Sequence, residues 1–199
     1  MTIVTRTNND RIMVFVDVRN VIRGARRECP GPFTVDFAGM VKQIAGNRNI
    51  RGAYCFDGLS DPENEKDCES FHRNLQRDGF RVVLRNAFDV SERMQKEVDM
   101  SMGCTMVALA YQDAYDTAIV VSGDRDFLPA IEMIESLGKT VEIASFLSSK
   151  SSELARGADV FHNLSKMPII QMSQPVEDVV EDVDTTTATA ETMWMTEVF

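Results

Sequence analysis

Short apolar runs alternate with longer stretches of helical period from residue 11 onward. Five of these runs are rich in β-branched residues and are bounded by polar or glycine-containing segments, which predicts strands. The predicted strands are Ile12–Asp17, Ile50–Phe56, Phe80–Leu84, Thr117–Ser122 and Thr140–Phe146. Runs such as MVFV and AIVV are apolar at every position, as expected for strands covered by helices on both faces. The alternation predicts a three-layer α/β/α sandwich around a mainly parallel sheet.

The intervening stretches predict helices. Gly46, Gly79 and Gly138 stand where three of them should end, each a few residues before a strand. The predicted helices are Phe33–Ala45, Pro62–Arg77, Glu97–Tyr111 and Phe127–Leu137. A shorter helix near Ser151–Arg156 and a final strand at Val160–Leu164 would complete the domain.

The chain divides into an N-terminal extension (1–10), one folded domain (11–167) and an acidic C-terminal tail (168–199). From residue 169 to 192 the sequence is acidic and Thr-rich, with the run TTTATA, which is typical of a disordered segment. The end of the tail is different, because it concentrates apolar side chains. They are Met193, Trp194, Met195, Val198 and Phe199, and such a group is expected to dock on the domain or on a protein partner.

Composition narrows the class of protein. The chain has 199 residues, enough for one domain with a full core, and its net charge of −10 is uneven: +3 over residues 1–96 and −13 over residues 97–199. This distribution disfavours general coating of a polyanion. No apolar run approaches the roughly 20 residues of a membrane helix, so we expect a cytoplasmic protein without a membrane partner. The four scattered cysteines have no CxxC pair and are expected to be buried, reduced thiols.

Aspartates follow several of the predicted strands. Asp17 ends the first strand, Asp124 and Asp126 follow the fourth, and Asp99 lies at or near the start of a helix. Sites in parallel sheets form at the carboxyl ends of the strands, so these acids are candidates for one site. The alternative for any one of them is a helix N-cap or a turn residue. Asp57, which precedes a glycine, is better interpreted as a turn.

Several carboxylates brought together would repel one another unless a cation neutralised them. Oxygen ligands without His or Cys suit Mg²⁺ or Mn²⁺, which polarise phosphoryl oxygens and generate hydroxide from bound water. Asn20 and Ser122 are placed to hydrogen-bond the carboxylates or the waters of such a metal. The acids therefore predict a divalent-metal site.

Four segments carry a resemblance to a known family: FVDVRN (15–20), KEVDMSM (96–102), the run from AYDTAIVVSGDRDF to GKTVEI (114–143), and SSELARGADVF (151–161). Together they resemble the NYN domain family, in its LabA-like branch, over roughly residues 10–165. SGDRDF after an apolar strand is the most specific of these motifs.

The resemblance implies a PIN-like fold with strand order 3-2-1-4-5 and a metal-dependent ribonuclease that uses Mg²⁺ or Mn²⁺ on RNA. Carried over by position, the catalytic and metal-binding residues are Asp17, Asp99, Asp124 and Asp126, assisted by Asn20 and Ser122. Many LabA-like sequences have a further acid six residues after the position of Asp99. Thr105 stands there in this chain, which would weaken a second metal site.

Basic residues near these acids are candidates for contacts with RNA phosphates. Arg19, Arg23 and Arg26 are spaced to share a face if the segment after the first strand is helical. Lys96 and Arg125 stand beside Asp99 and Asp124 in the sequence. The alternative for such residues is a solvated face that pairs with nearby acids.

Other functions fit less well. The sequence GKT at 138–140 follows a predicted helix and lacks the first glycine of a P-loop, which excludes that motif. A phosphatase of the haloacid dehalogenase type would have an acid where Arg19 stands. A non-catalytic regulatory or scaffold protein, LabA-like and with an acidic pocket for a metal or nucleotide, remains the alternative to the ribonuclease. A homo-oligomer is compatible with either.

Overall fold

The computed structural model describes residues 10–59, 65–86, 92–149, 154 and 158–172. The strands are β1 (Arg11–Asp17), β2 (Phe33–Val35), β3 (Asn49–Leu59), β4 (Arg81–Asn86), β5 (Thr117–Val121), β6 (Thr140–Ser145), β7 (Val160–Asn163) and β8 (Ile170–Met172). The helices are α1 (Val18–Glu28), α2 (Phe37–Ala45), α3 (Glu65–Arg77), α4 (Glu92–Tyr111) and α5 (Leu128–Ser136).

Six strands form a parallel sheet in the order β4-β3-β1-β5-β6-β7. The first five of these, numbered as predicted, give the order 3-2-1-4-5, so the expected topology is confirmed. The predicted final strand also forms, as β7 beside β6. β5 is buried at every position and β1 at all but its first, as the apolar runs indicated.

The two faces of the sheet have separate cores, which makes the fold a three-layer sandwich. On one face α1 and α2 pack against alternate residues of β1, with Phe146 and Ile169 closing the core. On the other face α4 and α5, together with Tyr115, pack against the intervening residues of β1. The helices that follow β1 and β5 therefore lie on opposite faces, which opens a crevice between the carboxyl ends of these neighbouring strands.

The first predicted helix, Phe33–Ala45, is wrong in its first four residues. Phe33–Val35 is a strand that pairs antiparallel with Ile170–Met172. The helix begins at Phe37 because Asp36 is its N-cap, with a carboxylate that accepts the Gly39 N–H at 2.7 Å.

The third predicted helix begins earlier than expected. It runs from Glu92 and not from Glu97, so Asp99 lies in the interior of α4 and not at its start. The expectation of four buried thiols is also wrong for Cys104, which is exposed on α4; Cys55 and Cys68 are buried and Cys29 is partly buried. The three predicted helix-ending glycines are confirmed, with φ of 60° at Gly46, 94° at Gly79 and 76° at Gly138.

Ordered structure continues past the predicted boundary at 167. Ile169 accepts a hydrogen bond from the Asp36 N–H at 2.8 Å, and β8 follows directly. The remaining predicted tail, 173–199, lies outside the described residues, as do residues 1–9 of the extension and most of the helix predicted near Ser151–Arg156. Among the residues that are described, no helix is long and apolar enough to cross a membrane.

The amino ends of the strands hold a buried group of paired charges. Both Nη atoms of Arg48 donate to the carboxylate of Glu142, at 2.8 and 3.0 Å. His162 Nε2 lies 2.7 Å from the same carboxylate, and Arg48 also reaches Asp10. Because Glu142 is buried, these partners offset the cost of removing its charge from water.

A second ion pair links β1 to the turn before β5. The Arg11 side chain donates to Asp116 from Nε at 2.9 Å and from Nη2 at 2.6 Å. These hydrogen bonds lower the pKa of the Asp116 carboxyl to about 2.

We expect Asp116→Asn to reduce the free energy of unfolding by about 1 kcal/mol at pH 7, the scale of a partly exposed ion pair. The Asp116 pKa is lower in the folded chain than its ordinary value of 3.8, so its stabilisation is present above that value and is lost as pH falls through about 2. Urea unfolding from pH 7 to pH 2 should show the difference between wild type and variant shrinking below pH 4. A difference independent of pH would contradict this account.

Candidate active site

The predicted acids lie in the crevice at the carboxyl ends of β1 and β5. Asp17 ends β1 and is the N-cap of α1, and Ser122, Gly123 and Asp124 form the loop that leaves β5. Asp99 comes from α4, which covers the other face of the sheet. Three separate segments therefore supply the site.

Asp17 is buried, with 1% of its surface exposed. Its Oδ1 accepts the backbone N–H of Asn20 at 3.0 Å, and its Oδ2 accepts the Ser122 hydroxyl at 3.2 Å. Each carboxylate oxygen keeps further lone pairs, so these bonds leave Asp17 able to bind a cation.

A chain of hydrogen bonds joins the start of α1 to the loop after β5. The Asn20 side-chain oxygen accepts the Gly123 N–H at 2.9 Å. The Ser122 hydroxyl, which donates to Asp17, accepts the Asp124 N–H at 3.1 Å. Asn20 and Ser122 thus tie the loop after β5 to the start of α1. The Ser122 side chain bonds the carboxylate, as expected, whereas the Asn20 side chain bonds the Gly123 backbone instead.

The two acids after β5 have different environments. Asp124 is the N-cap of a single 3-10 turn, Arg125–Phe127, and its Oδ1 accepts the Asp126 N–H at 3.0 Å. Asp126 does not cap the following helix, because Phe127 occupies the N-cap position of α5. The Asp126 side chain is exposed and lines the same groove as Asp99.

Burial, and to a lesser extent the charges of Asp99 and Asp124, raise the pKa of the Asp17 carboxyl to about 7. The hydrogen bonds from Asn20 and Ser122 act in the opposite direction. The fold therefore places three carboxylates from three segments close enough to repel one another. A divalent cation would relieve this repulsion.

A groove of about 1200 Å³ runs between α4 and α5, and Asp99 and Asp126 are the acids that line it. Lys96 and Asp99 line it from α4, and Arg125 and Asp126 line it from the 3-10 turn. We call it the α4–α5 groove. Lys96 and Arg125 are both exposed, as residues that contact phosphate must be.

Thr105 does not line the α4–α5 groove. Its hydroxyl donates to the Ser101 carbonyl oxygen of its own helix at 2.7 Å. Ser101 lies on the side of α4 that faces β4, and its hydroxyl oxygen accepts a hydrogen bond from Arg85 Nη2 at 2.8 Å. Thr105 is one turn further along the same side and is absent from the lining of the α4–α5 groove.

Arg19 has a different partner from the one predicted. Its Nε donates to Asp57 Oδ1 at 3.2 Å, and its Nη2 donates to the Gly58 carbonyl oxygen at 2.9 Å. The structure thus argues against a free phosphate-binding role for Arg19. The other arginines predicted with it lie on α1 as expected, Arg23 exposed and Arg26 partly buried.

The interpretation of Asp57 as a turn residue is wrong. β3 continues through it to Leu59, so it is a buried strand residue and not part of a turn. Besides Arg19 it contacts His72 of α3, with Nε2 2.9 Å from Oδ2. Asp57 follows the residue paired with Asp17, so this buried cluster stands directly beside the candidate site. No local sequence signal links these three residues.

The residues present fit Mg²⁺ or Mn²⁺ by their chemistry, because every donor in the set is an oxygen. The repulsion acting on the buried Asp17 carboxylate is a second observation in favour of a cation. Within the described residues, no group of three His, Cys, Asp or Glu side chains is already arranged as a metal site.

Comparison with known proteins agrees with the fold and the motifs. The NYN domain profile matches residues 11–165, and the chain belongs to this family, which is PIN-like and associated with nuclease activity. The crystal structure of a protein of unknown function from Vibrio parahaemolyticus is similar, with a TM-score of 0.67 and 23% identity over 81% of this chain and 96% of that one. At this identity the likeness shows the fold alone. Among curated proteins, none matches this chain.

We expect Asp17→Asn to stabilise the metal-free protein at pH 8, by at most about 4 kcal/mol. The folded pKa of about 7 exceeds the ordinary 3.8, so ionised Asp17 destabilises the fold above pH 7 and this cost disappears as pH falls towards 4. Urea unfolding in EDTA at pH 8 and pH 5 measures the change. A variant less stable than wild type at pH 8 would contradict it.

Asp36→Asn is the matched control, since Asp36 is also an N-cap but is exposed. Asn is as good an N-cap as Asp, so this variant should unfold close to wild type at both pH values. The comparison separates the effect of burial from that of capping.

Proposed function

We propose that this protein is a metal-dependent ribonuclease whose site consists of Asp17, Asp99, Asp124 and Asp126. The observation that carries the proposal is the burial of Asp17 against Ser122, within reach of the charges of Asp99 and Asp124. Membership of a PIN-like nuclease family supports the same activity.

Capping a helix does not explain this arrangement. Asp36 caps α2 with the same kind of bond to a backbone N–H, yet it is exposed. Burying a carboxylate near two others costs free energy that an exposed cap avoids. The cost is understandable if the cluster has a task that needs concentrated negative charge, and binding a divalent cation is such a task.

Each residue of the site then has a role in phosphodiester hydrolysis. The four aspartates would hold the cation, while Ser122 and Asn20 keep Asp17 and the loop after β5 in place. Mg²⁺ or Mn²⁺ bound there would polarise the phosphoryl oxygen and activate water. Lys96 and Arg125 lie where they would bind the phosphates of RNA. The mechanism needs neither a nucleophilic side chain nor a histidine base.

The proposal includes a place in the LabA-like branch of the family, supported by the SGDRDF segment and its neighbours. The position of Thr105 bears on activity. Thr105 bonds its own helix and does not line the groove, and the proposed site is formed without it by the four aspartates. The non-catalytic scaffold is therefore the outcome to be tested against, and the ribonuclease is the function we favour.

Asp17→Asn and Asp124→Asn should each abolish cleavage of end-labelled RNA in Mn²⁺ or Mg²⁺, to the level seen in EDTA. Both variants should keep the native circular dichroism spectrum, since Asn retains the cap to the backbone. A mixed pool of single-stranded and structured RNAs is the substrate. If RNA remains intact with the wild type, or if both variants cleave normally, the ribonuclease assignment fails.

Mn²⁺ binding gives a readout that does not depend on cleavage. Electron paramagnetic resonance should detect bound Mn²⁺ in wild type and a large loss of affinity in Asp124→Asn, because a ligand carboxylate is removed. The exposed cap variant Asp36→Asn should bind and cleave like wild type. A wild-type protein that binds Mn²⁺ but cleaves nothing would favour the scaffold.

Lys96→Ala should weaken RNA binding across sequences and reduce the slope of log K against log salt by about one, as expected on losing one phosphate contact. Lys42→Ala, an exposed lysine of α2 on the other face of the sheet, is the control and should leave the slope unchanged. Fluorescence anisotropy from 50 to 200 mM salt in EDTA measures both. Equal slopes for the two variants would remove Lys96 from the RNA contacts.

A further inference from the structure

Most of the residues that line the α4–α5 groove are apolar. Beyond its charged end it is lined by Met100, Tyr111 and Met133, which are 68%, 81% and 52% exposed. Large apolar side chains exposed together are usual where something else binds.

The shape of the groove suits a narrow apolar segment. Gly103 of α4 faces Ala130 of α5, and a Cβ built at Gly103 would lie 3.7 Å from the Ala130 Cβ, so the two helices approach closely at its floor. From Asp99 to Tyr111 the groove follows α4 for about 18 Å, at 1.5 Å per residue. Seven residues in extended conformation span roughly 23 Å.

The charges of the groove do not suit an RNA strand along its length. Its basic lining residues are Lys96 and Arg125, both at the end that holds Asp99 and Asp126. The rest of the lining is apolar or uncharged, so nothing there would balance phosphate charge. The charged end suits RNA at the site, and the apolar part calls for a different occupant.

The chain itself contains a segment of the required chemistry. Residues 193–199, MWMTEVF, have five apolar side chains in seven positions, including the single tryptophan of the protein. We call them the C-terminal tip. Between Met172, the last described residue, and this segment lie the acidic and Thr-rich residues 173–192.

The connecting residues are long enough to bring the tip to the groove. β8 lies with the α1 and α2 core, so the tip must pass to the other face of the sheet. A domain of this size is roughly 40 Å across. The 21 residues from Met172 to Met193 span up to about 70 Å when extended. The connecting residues are therefore long enough for the C-terminal tip to contact the α4–α5 groove.

We infer that the C-terminal tip of the same chain docks in the α4–α5 groove. A tethered segment acts at an effective concentration in the millimolar range, well above the concentration of a second copy in a dilute sample. A second copy is also less suitable because a stable dimer buries about 800 Å² per partner, more than three exposed side chains offer.

Docking would affect the candidate active site as well. Asp99 and Asp126 line the groove, so a tip seated in it would restrict the approach of RNA to these acids. This consequence rests on the proposed function, whereas the docking itself does not. The experiments below measure docking without reference to cleavage.

Trp194 reports on docking directly, because it is the only tryptophan. In the full chain its emission should be blue-shifted and protected from acrylamide quenching. Met100→Glu and Met133→Glu, both at exposed positions where the fold tolerates charge, should red-shift the emission and remove the protection. Leu147→Glu, at an exposed leucine outside the groove, is the matched control and should keep both.

Cys104 provides a second readout within the groove. Its alkylation by iodoacetamide should be slow in the full chain and faster once residues 193–199 are deleted. Cys29, partly buried near β8, should react at the same rate in both proteins. Titration of RNA in EDTA should then show tighter binding by the truncated protein.

The outcomes separate the alternatives. A Trp194 emission typical of full exposure, or one unchanged by Met100→Glu and Met133→Glu, would overturn the inference. Protection that disappears on dilution would assign the groove to a second copy and overturn it as well. Docking confirmed by fluorescence and alkylation, with no RNA cleaved by either protein, would uphold the inference while the proposed function failed.

Discussion

The carboxyl of Asp17 is the point on which the site and part of the fold depend. It ends the central strand β1, caps α1 and accepts the hydroxyl of Ser122, so it links one helix to the neighbouring strand β5. Its burial makes the carboxylate both a structural tie and the centre of the acidic cluster. Such a dual role explains why the crevice has a defined geometry, since the residue that concentrates the charge also sets the spacing of the segments around it.

Most of the parallel sheet could be predicted from the sequence because its strands are covered on both faces and therefore read as unbroken apolar runs. The pairing of Phe33–Val35 with Ile170–Met172 could not, because it joins segments about 137 residues apart, and three-residue strands leave no periodicity to detect. The early start of α4 was missed for a related reason: its first turns carry no regular apolar stripe, so nothing local separates them from a loop.

The candidate site was predictable in its acids and not in its details. That Asp17 and Asp124 would meet follows from the rule that parallel strands end at the same edge. Which of two neighbouring acids caps the turn after β5 depends on backbone angles that the sequence does not reveal, and Asp124 takes that role. The partnership of Arg19 with Asp57 and His72 needed the three-dimensional structure, since these residues come from α1, β3 and α3.

Buried charges are paired with opposite charges at one end of the sheet and lie near like charges at the other end. At the amino ends Glu142 is matched by Arg48 and His162, whereas at the carboxyl ends Asp17 meets further acids. The ion pairs at the amino end therefore do not involve the acids of the site. Because the two groups of charges are separate, substitutions among the acids at the carboxyl ends would leave the ion pairs at the amino ends intact. Related proteins could therefore keep this fold with a different set of residues in the crevice.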